Sequence, residues 1–238
     1  MDKLIFLDTE TTGTDFLSDR LFEVSYKLGK KIVSGYFKPP IPISIKASSI
    51  THVTNKMVAK EKPFLGSKLQ KDLEKLLLGN ILVAHNAAYD ISVLDKEGIS
   101  VPKFICTVKV ARFLDSENVI PEYNLQYLRY YFELEVDAKA HDASSDVLVL
   151  EAVFKKLFDL MLKEYKTEDK VIEKMLEVSA NPFLIRSFSF GKYKGRLVEE
   201  IVGLDKGYLQ WLLVQKMQKE GGEEDWIYTL KYHLKEIS

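Results

Sequence analysis

The sequence predicts an α/β fold, in which helices flank a mixed β-sheet and a small, mainly helical module follows at the C-terminal end. Three observations support this prediction. Three strand-like segments with short connections come first, strands then alternate with helices, and a charged segment of helical pattern precedes the final residues. The first pattern predicts an antiparallel meander and the second predicts strands joined through helices, so together they indicate one mixed sheet.

The predicted meander begins with the short apolar run Leu4 to Leu7. Two longer strand candidates, Leu21 to Leu28 and Ile32 to Phe37, are separated by Gly29-Lys30-Lys31, which predicts a hairpin turn. Pro39-Pro40 ends this region, because proline cannot donate a hydrogen bond to a neighbouring strand.

The part of the chain after the prolines alternates between apolar residues at helical spacing and short buried-strand runs. Its predicted elements are a helix through Leu69, Leu73, Leu76 and Leu77, a strand from Ile81 to Ala84, a helix from Ala88 to Lys96, a strand from Phe104 to Thr107, helices from Leu125 to Phe132 and from Val147 to Leu162, and a charged helix from Thr167 to Ala180. We therefore divide the chain into a domain of residues 1–165 and a linker helix with a small module, residues 166–238.

The composition restricts the classes of function. The chain has 238 residues, of which 46% are hydrophobic, and its net charge is −1. A protein that coats nucleic acid without specificity is far more basic, so nucleic-acid contact here requires a local patch or bridging metal ions. The single cysteine, Cys106, excludes an internal disulfide and a multi-cysteine zinc site. Because neither a signal-peptide pattern nor an apolar run of about 20 residues is present, we expect a cytoplasmic protein with no membrane partner.

An acidic pair, Asp8 and Glu10, stands at the end of the first predicted strand. Alternate residues of a strand point to the same face, so both carboxylates project together and repel each other unless a positive charge compensates them. Carboxylates suit hard ions such as Mg²⁺ or Mn²⁺, which also bind substrate phosphate. The following Thr11-Thr12-Gly13 lets backbone N–H groups approach an anionic ligand. The alternatives are two acids that merely meet solvent and an ordinary turn.

Further candidate residues occur later in the chain. Asp90 falls in the first turn of a predicted helix, and His85 and Asn86 stand at the C-terminal end of a strand, where open α/β sheets bind ligands. His141 and Asp146 fit one site only if the histidine lies in a loop, because five helical residues turn by about 500°. A histidine with the ordinary pKa of about 6.5 suits a general base. The alternatives are helix-end stabilisation by the aspartate and structural or surface histidines.

Taken in order, these segments resemble the motifs of one nuclease family. Asp8 to Gly13, His85 to Asp90 and His141 to Asp146 match the three motifs of the DnaQ-like exonucleases of the DEDDh type, and Ile50 to Thr54 resembles the substrate-side loop of that family. The resemblance covers about residues 1–165. It implies the ribonuclease H-like fold, with a mixed sheet flanked by helices.

The resemblance also implies a chemistry. It implies hydrolysis of phosphodiesters from a 3′ end with release of nucleoside monophosphates, with two Mg²⁺ or Mn²⁺ ions as cofactors. Asp8, Glu10, Asp90 and Asp146 are the implied metal ligands, Asp8 is the implied bridge between the ions, His141 is the implied general base, and Thr11, Thr12, His52 and Asn86 are candidates for substrate binding.

The tail from Phe188 to Leu213 resembles the small C-terminal module of the bacterial exodeoxyribonuclease X family. Aromatic and basic residues interleave there, a pattern that suits stacking on bases together with phosphate contact. The alternative is a glycine-turned hairpin whose aromatic residues pack on the helix with Tyr208 and Trp211. The candidates for DNA binding are Lys192, Tyr193, Lys194 and Arg196.

These observations predict a DNA repair or proofreading exonuclease that acts on single-stranded or frayed duplex 3′ ends. Two alternatives stay open: an exoribonuclease of the ribonuclease T type, and a polymerase-associated or catalytically silent module that binds nucleic acid. The intact set of five motif residues argues against the silent module. A homodimer is a further candidate state, and a polymerase partner is undecided.

Overall fold

The structure is a computed structural model that describes residues 3–15, 17–136, 143–219 and 221–236. Two compact units meet in sequence between Ala180 and Asn181. Among the described residues, the helices are all too short or too polar to cross a membrane.

The first unit contains a five-stranded sheet in the order β3-β2-β1-β4-β5. Strands β1 to β3 pair antiparallel, whereas β4 pairs parallel with both β1 and β5. This topology confirms the predicted mixed sheet, with the meander at one side. The strands are β1 (Leu4–Thr11), β2 (Leu21–Leu28), β3 (Lys31–Tyr36), β4 (Ile81–Ala84) and β5 (Phe104–Cys106).

Helices cover the sheet as predicted, although their bounds differ by up to several residues, and α1, α2 and α5 were not among the predicted elements. The helices of the first unit are α1 (Ile45–Thr51), α2 (Asn55–Val58), α3 (Lys68–Gly79), α4 (Ala87–Lys96), α5 (Thr107–Leu114), α6 (Leu125–Tyr131), α7 (Ala143–Tyr165) and α8 (Glu168–Ala180).

Strand β1 is buried on both faces and divides the apolar core into two clusters. Leu4 and Phe6 belong to the cluster around α7, and the Phe6 ring meets Phe154 of that helix edge-on, with ring centroids 5.3 Å apart. Ile5 and Leu7 belong to the cluster on the opposite face, which includes residues of α3 and α4. Because strand side chains alternate, Asp8 projects from the face of β1 that packs on α7, and Thr9 projects from the opposite face, which packs on α4.

Helix α8 belongs to the first unit and packs against its apolar core. Val171 and Met175 are buried in the cluster around α7, and the Ser179 hydroxyl accepts a 2.8 Å hydrogen bond from the backbone N–H of Cys106. The charged pattern of residues 167–180 predicts a linker helix after residue 165, whereas the structure includes this helix in the first unit. Its mostly charged surface carries one buried apolar stripe, which groups it with residues 1–180.

The second unit is mainly helical, with α9 (Val198–Leu204), α10 (Lys206–Gln218) and α11 (Glu224–His233). A short hairpin precedes α9, in which Ser187 pairs with Leu197. The hairpin places Phe188 against Trp226, with stacked rings 5.2 Å apart. The unit therefore closes around its own aromatic core.

Candidate active site

A cluster of three carboxylates lies where β1 meets the start of α7. Asp8, Glu10 and Asp146 each offer an oxygen atom, and these three atoms lie within 4.8 Å of one another. Strand alternation brings the first two together, and α7 supplies the third from its first turn. The sequence motifs predict that Asp146 joins Asp8 and Glu10 in one site, and the fold brings these three carboxylates together.

The electrostatics of this cluster favour a divalent cation. Burial raises the pKa of Asp8 well above its ordinary range, and the charges of Asp90, Glu10 and Asp146 raise it further. Neighbouring like charges are costly unless a cation or a proton compensates them. Oxygen atoms this close match the donor set that hard divalent ions require, so the residues present fit a divalent metal.

Asp90 approaches Asp8 from the start of α4. Its side chain is buried and accepts a 2.8 Å hydrogen bond from the Thr9 hydroxyl. Burial raises the pKa of Asp90 to about 7, although the Thr9 hydrogen bond opposes the shift. Asp90 stands outside the three-carboxylate group but close enough to raise the pKa of Asp8.

His85 and Asn86 occupy the end of β4. The His85 Nε2 atom lies 2.8 Å from the carbonyl of Tyr123, and Nδ1 lies 2.8 Å from the Thr107 hydroxyl. A carbonyl only accepts, so Nε2 carries the proton and Nδ1 accepts from Thr107. Burial lowers the pKa of His85 to about 4, so this histidine is neutral and structural. Asn86 is exposed in a left-handed conformation, with φ of 63°, at the residue before α4.

The segment after Glu10 is held by several hydrogen bonds. The hydroxyls of Thr11 and Tyr89 lie 2.7 Å apart, and both reach the carbonyl of Gly13, at 2.6 and 2.8 Å. The Thr12 hydroxyl donates to Asp19. The backbone N–H of Thr12 donates to the carbonyl of residue 20, so it is already engaged within the fold. The loop therefore holds its shape through its own hydrogen bonds.

A cavity of about 190 Å³ opens beside the cluster. Glu10 and Tyr89 form part of one wall, and Lys46 and Ile50 of α1 contribute to the lining. The sequence-predicted His52 is exposed at the end of α1, where its backbone is left-handed with φ of 59°. The cavity combines acidic, basic and apolar groups next to the candidate metal ligands.

Gln126 was missed by the sequence analysis. Its side-chain amide donates a 2.7 Å hydrogen bond to Asp146 Oδ1. The sequence shows Gln126 only as a polar residue on the predicted helix Leu125 to Phe132. Its contact with Asp146 joins two separate helices, so no local pattern predicts it. The candidate base His141 lies outside the described residues.

The candidate DNA-binding residues of the tail are mostly engaged within the second unit. Lys192 Nζ forms a 2.9 Å ion pair with Asp205, whose carboxylate also accepts a 2.7 Å hydrogen bond from the Tyr193 hydroxyl. The Tyr193 ring is buried. Arg196 forms a 3.1 Å ion pair with Glu200, whereas Lys194 is exposed to solvent. Tyr193 therefore packs inside the module, as the alternative interpretation of the tail predicts.

Comparison with known proteins finds similarity over both units. Residues 5–154 match the family model described as exonuclease, and residues 188–216 match the exodeoxyribonuclease X-like C-terminal model. Exodeoxyribonuclease 10 of Escherichia coli strain K12 is 31% identical over 219 residues, covering 88% of this chain and 90% of that protein. DNA polymerase III subunit epsilon of Treponema pallidum is 31% identical over 158 residues, covering 62% of this chain and 72% of that protein.

A solved structure is also similar. The structure of exonuclease X in complex with 5′ overhanging duplex DNA has a TM-score of 0.57 and 27% identity, covering 74% of this chain and 99% of that chain. Asp8, Glu10, Asp90 and Asp146 all fall within the segment that matches the exonuclease model.

Proposed function

This chain belongs to the exonuclease family, and we propose that it is a metal-dependent 3′→5′ exodeoxyribonuclease that releases nucleoside 5′-monophosphates from DNA 3′ ends. Membership implies a nuclease that depends on divalent metal. The observation that carries the proposal is the group of three carboxylates within 4.8 Å, with a fourth, Asp90, close enough to perturb Asp8.

The proposed metal ligands are Asp8, Glu10 and Asp146, with Asp90 as the fourth acid, and the proposed occupants are two Mg²⁺ or Mn²⁺ ions. Asp8 is the proposed shared ligand of the two ions, because the charges of Asp90, Glu10 and Asp146 all raise its pKa. Bound divalent ions would neutralise the phosphodiester, promote loss of a proton from the attacking water and stabilise the leaving 3′ oxygen.

The residues of the chain have separate roles in this proposal. The carboxylates would hold the cations that bind the reacting phosphate, and His141 is the proposed acceptor of the proton from the attacking water. Glu10 belongs to both the carboxylate cluster and the cavity lining, which supports it as the proposed contact of the 3′-hydroxyl of the terminal nucleotide. Thr11, Thr12, His52 and Asn86 stay candidates for substrate contact, and the exposed pair His52 and Asn86 is the more accessible.

The cavity beside Glu10 supports a terminal nucleoside as its occupant. Ile50 offers an apolar surface for a base or sugar, and Lys46 offers a positive charge for phosphate. DNA is the proposed substrate because exodeoxyribonuclease 10 resembles this chain over 88% of its length, and the structure of exonuclease X in complex with DNA resembles 74% of it. Repair or proofreading is the proposed context.

Asp8→Ala is the direct test. We expect release of mononucleotides from a 3′-labelled single strand in Mg²⁺ to fall by about 10³-fold or more, because loss of several kcal/mol of transition-state stabilisation costs about three powers of ten. Asp159→Ala, which removes an exposed carboxylate from α7, is the matched control and should keep full activity. Full activity of the Asp8 variant, or of the wild type in excess EDTA, would contradict the proposal.

Matched DNA and RNA oligonucleotides test the choice of substrate. We expect faster release from single-stranded DNA than from RNA, and intermediate release from duplex DNA with frayed ends. Faster release from RNA would replace the proposal with an exoribonuclease. Cytoplasmic location stays a prediction from the sequence, a homodimer stays a candidate state, and a polymerase partner stays undecided.

A further inference from the structure

Gln126 lies on α6 and touches the carboxylate cluster from outside. Its Nε2 atom is 2.7 Å from Asp146 Oδ1, and the side chain is half-buried. The contact joins two helices whose residues are separated by 20 positions in the sequence. It is therefore a tertiary contact that the turn of a single helix does not impose.

The orientation of the Gln126 amide is fixed by two partners. An ionised carboxylate only accepts hydrogen bonds, so the amide nitrogen must face Asp146. The amide oxygen then faces Arg129, whose Nη1 atom lies 3.5 Å away. The same guanidinium donates to the carbonyl of Val136, which holds the arginine in place. Both partners require the same orientation, and neither would accept the flipped amide.

Helix α6 itself is a fixed support. The Asn124 side chain accepts a 2.8 Å hydrogen bond from the backbone N–H of Tyr127 and caps the helix. Leu128 is fully buried in the apolar cluster that also contains residues of α7. A side chain that projects from this helix can therefore restrain a carboxylate on α7.

The chemical type of the donor matters as much as its position. A lysine or arginine at residue 126 would neutralise Asp146 and repel a cation beside it. An amide orients the carboxylate without adding a positive charge. Residues that hydrogen-bond metal-binding carboxylates in this way set the orientation of the ligand, and their loss typically costs about 10–100-fold in metal affinity or activity.

We infer that Gln126 is a positioning residue that holds Asp146 in its metal-binding orientation through a neutral hydrogen bond. This inference rests on the proposed function, because it needs Asp146 to be a metal ligand. It adds a residue from α6 to a site that the sequence motifs place only on β1, α4 and the start of α7.

The test is Mn²⁺ binding to the full-length protein without DNA, followed by the electron paramagnetic resonance signal of free Mn²⁺. Gln126→Met keeps the length of the side chain and removes the donor. We expect its dissociation constant for Mn²⁺ to rise by about 10–100-fold. The Mg²⁺ concentration for half-maximal nuclease activity should rise similarly, whereas activity at saturating Mg²⁺ should recover, because every metal ligand is intact.

Two further variants separate positioning from structure and charge. Gln70→Met removes a buried amide that bonds the backbone of Gly66 and Glu97, so it should lower the melting temperature and leave Mn²⁺ affinity unchanged. Gln126→Lys keeps a donor but adds a positive charge, so it should bind Mn²⁺ at least as weakly as the methionine variant.

The outcomes distinguish this inference from the proposed function. Wild-type Mn²⁺ affinity in Gln126→Met, or in Gln126→Asn should the methionine variant not fold, would overturn the role of Gln126 alone. Wild-type affinity in Gln126→Lys would overturn the requirement for a neutral donor. A wild-type protein that neither binds Mn²⁺ nor degrades DNA would overturn both the inference and the proposed function.

Discussion

The two units contain charged clusters of opposite character. In the first unit, Asp8 and Asp90 lie close to other acids, and burial raises the pKa of both. In the second unit, Asp205 has Lys192 beside it, and the hydrogen bonds from Lys192 and Tyr193 lower its pKa to about 2. One cluster brings like charges together, whereas the other pairs opposite charges.

The difference indicates where function is located. Buried acids with raised pKa values oppose folding when they ionise at neutral pH, and such arrangements typically belong to functional sites. A cluster whose charges are paired stabilises the fold and presents little net charge. The first cluster is therefore stabilised by a bound cation or proton, whereas the charges of Lys192 and Asp205 in the second cluster compensate each other.

His141→Ala separates chemistry from metal binding in the first unit. We expect turnover on single-stranded DNA to fall by about 10²–10⁴-fold, the usual contribution of a general base. Mn²⁺ affinity should stay at the wild-type value, because His141 is assigned no ligand role. Loss of Mn²⁺ binding in this variant would overturn that assignment.

Metal binding by the acidic cluster of the first unit should depend on pH, whereas the charge of Asp205 in the second unit should stay constant over the same range. Asp90 has a pKa of about 7 in the folded chain, against an ordinary value of 3.8, so a metal ion must displace a proton below pH 7. As the pH is lowered below 7, the affinity for Mg²⁺ should fall by about tenfold per pH unit for each proton that the ion must displace. Asp205, with its pKa of about 2, stays ionised over the same range and contributes nothing to this dependence.

The sign for stability follows from the same shift. Between about pH 4 and pH 7 the folded metal-free chain holds a proton on Asp90 that the unfolded chain has lost, so the stability contribution of this group declines as the pH rises. Asp90→Asn removes the ionisation, and it should raise the melting temperature of the metal-free protein more at pH 8 than at pH 5. An equal effect at both pH values would show that Asp90 is not proton-bound in the folded chain.

The sequence predicted the strands and the first acidic pair because both depend on local patterns. Alternation along β1 decides which face each residue takes, so the joint projection of Asp8 and Glu10 follows from spacing alone. The mixed character of the sheet followed from the short connections of the meander and from the helices between the later strands, whereas the strand order comes from the structure.

Features that depend on contacts between distant residues were not predictable in this way. Helices α1 and α2 are short, and the Asn55 side chain connects this region by bonding both the backbone N–H and the carbonyl of Ile43. The packing of α8 depends on a buried stripe that a charged sequence conceals. Gln126 acquires its role only when α6 comes to rest beside Asp146.

Lys194→Ala and Lys192→Ala probe the second cluster. If the second unit contacts DNA, the exposed Lys194 should contribute more than Lys192, whose ammonium is 2.9 Å from Asp205 and must leave that partner to reach a phosphate. We expect the lysine 194 variant to bind single-stranded DNA a few-fold more weakly. The slope of log affinity against log salt should decrease by about 0.7.

Equal losses in the two lysine variants would show that the pair between Lys192 and Asp205 opens when DNA binds. In that case the second cluster would supply positive charge to DNA rather than only stabilise the fold. Both clusters would then bind a ligand, and the contrast between them would disappear. Unchanged DNA affinity in both variants would instead assign the interleaved aromatic and basic residues to the stability of the module. Its buried Tyr193 ring already points in that direction, because a buried ring offers no face on which a base can stack.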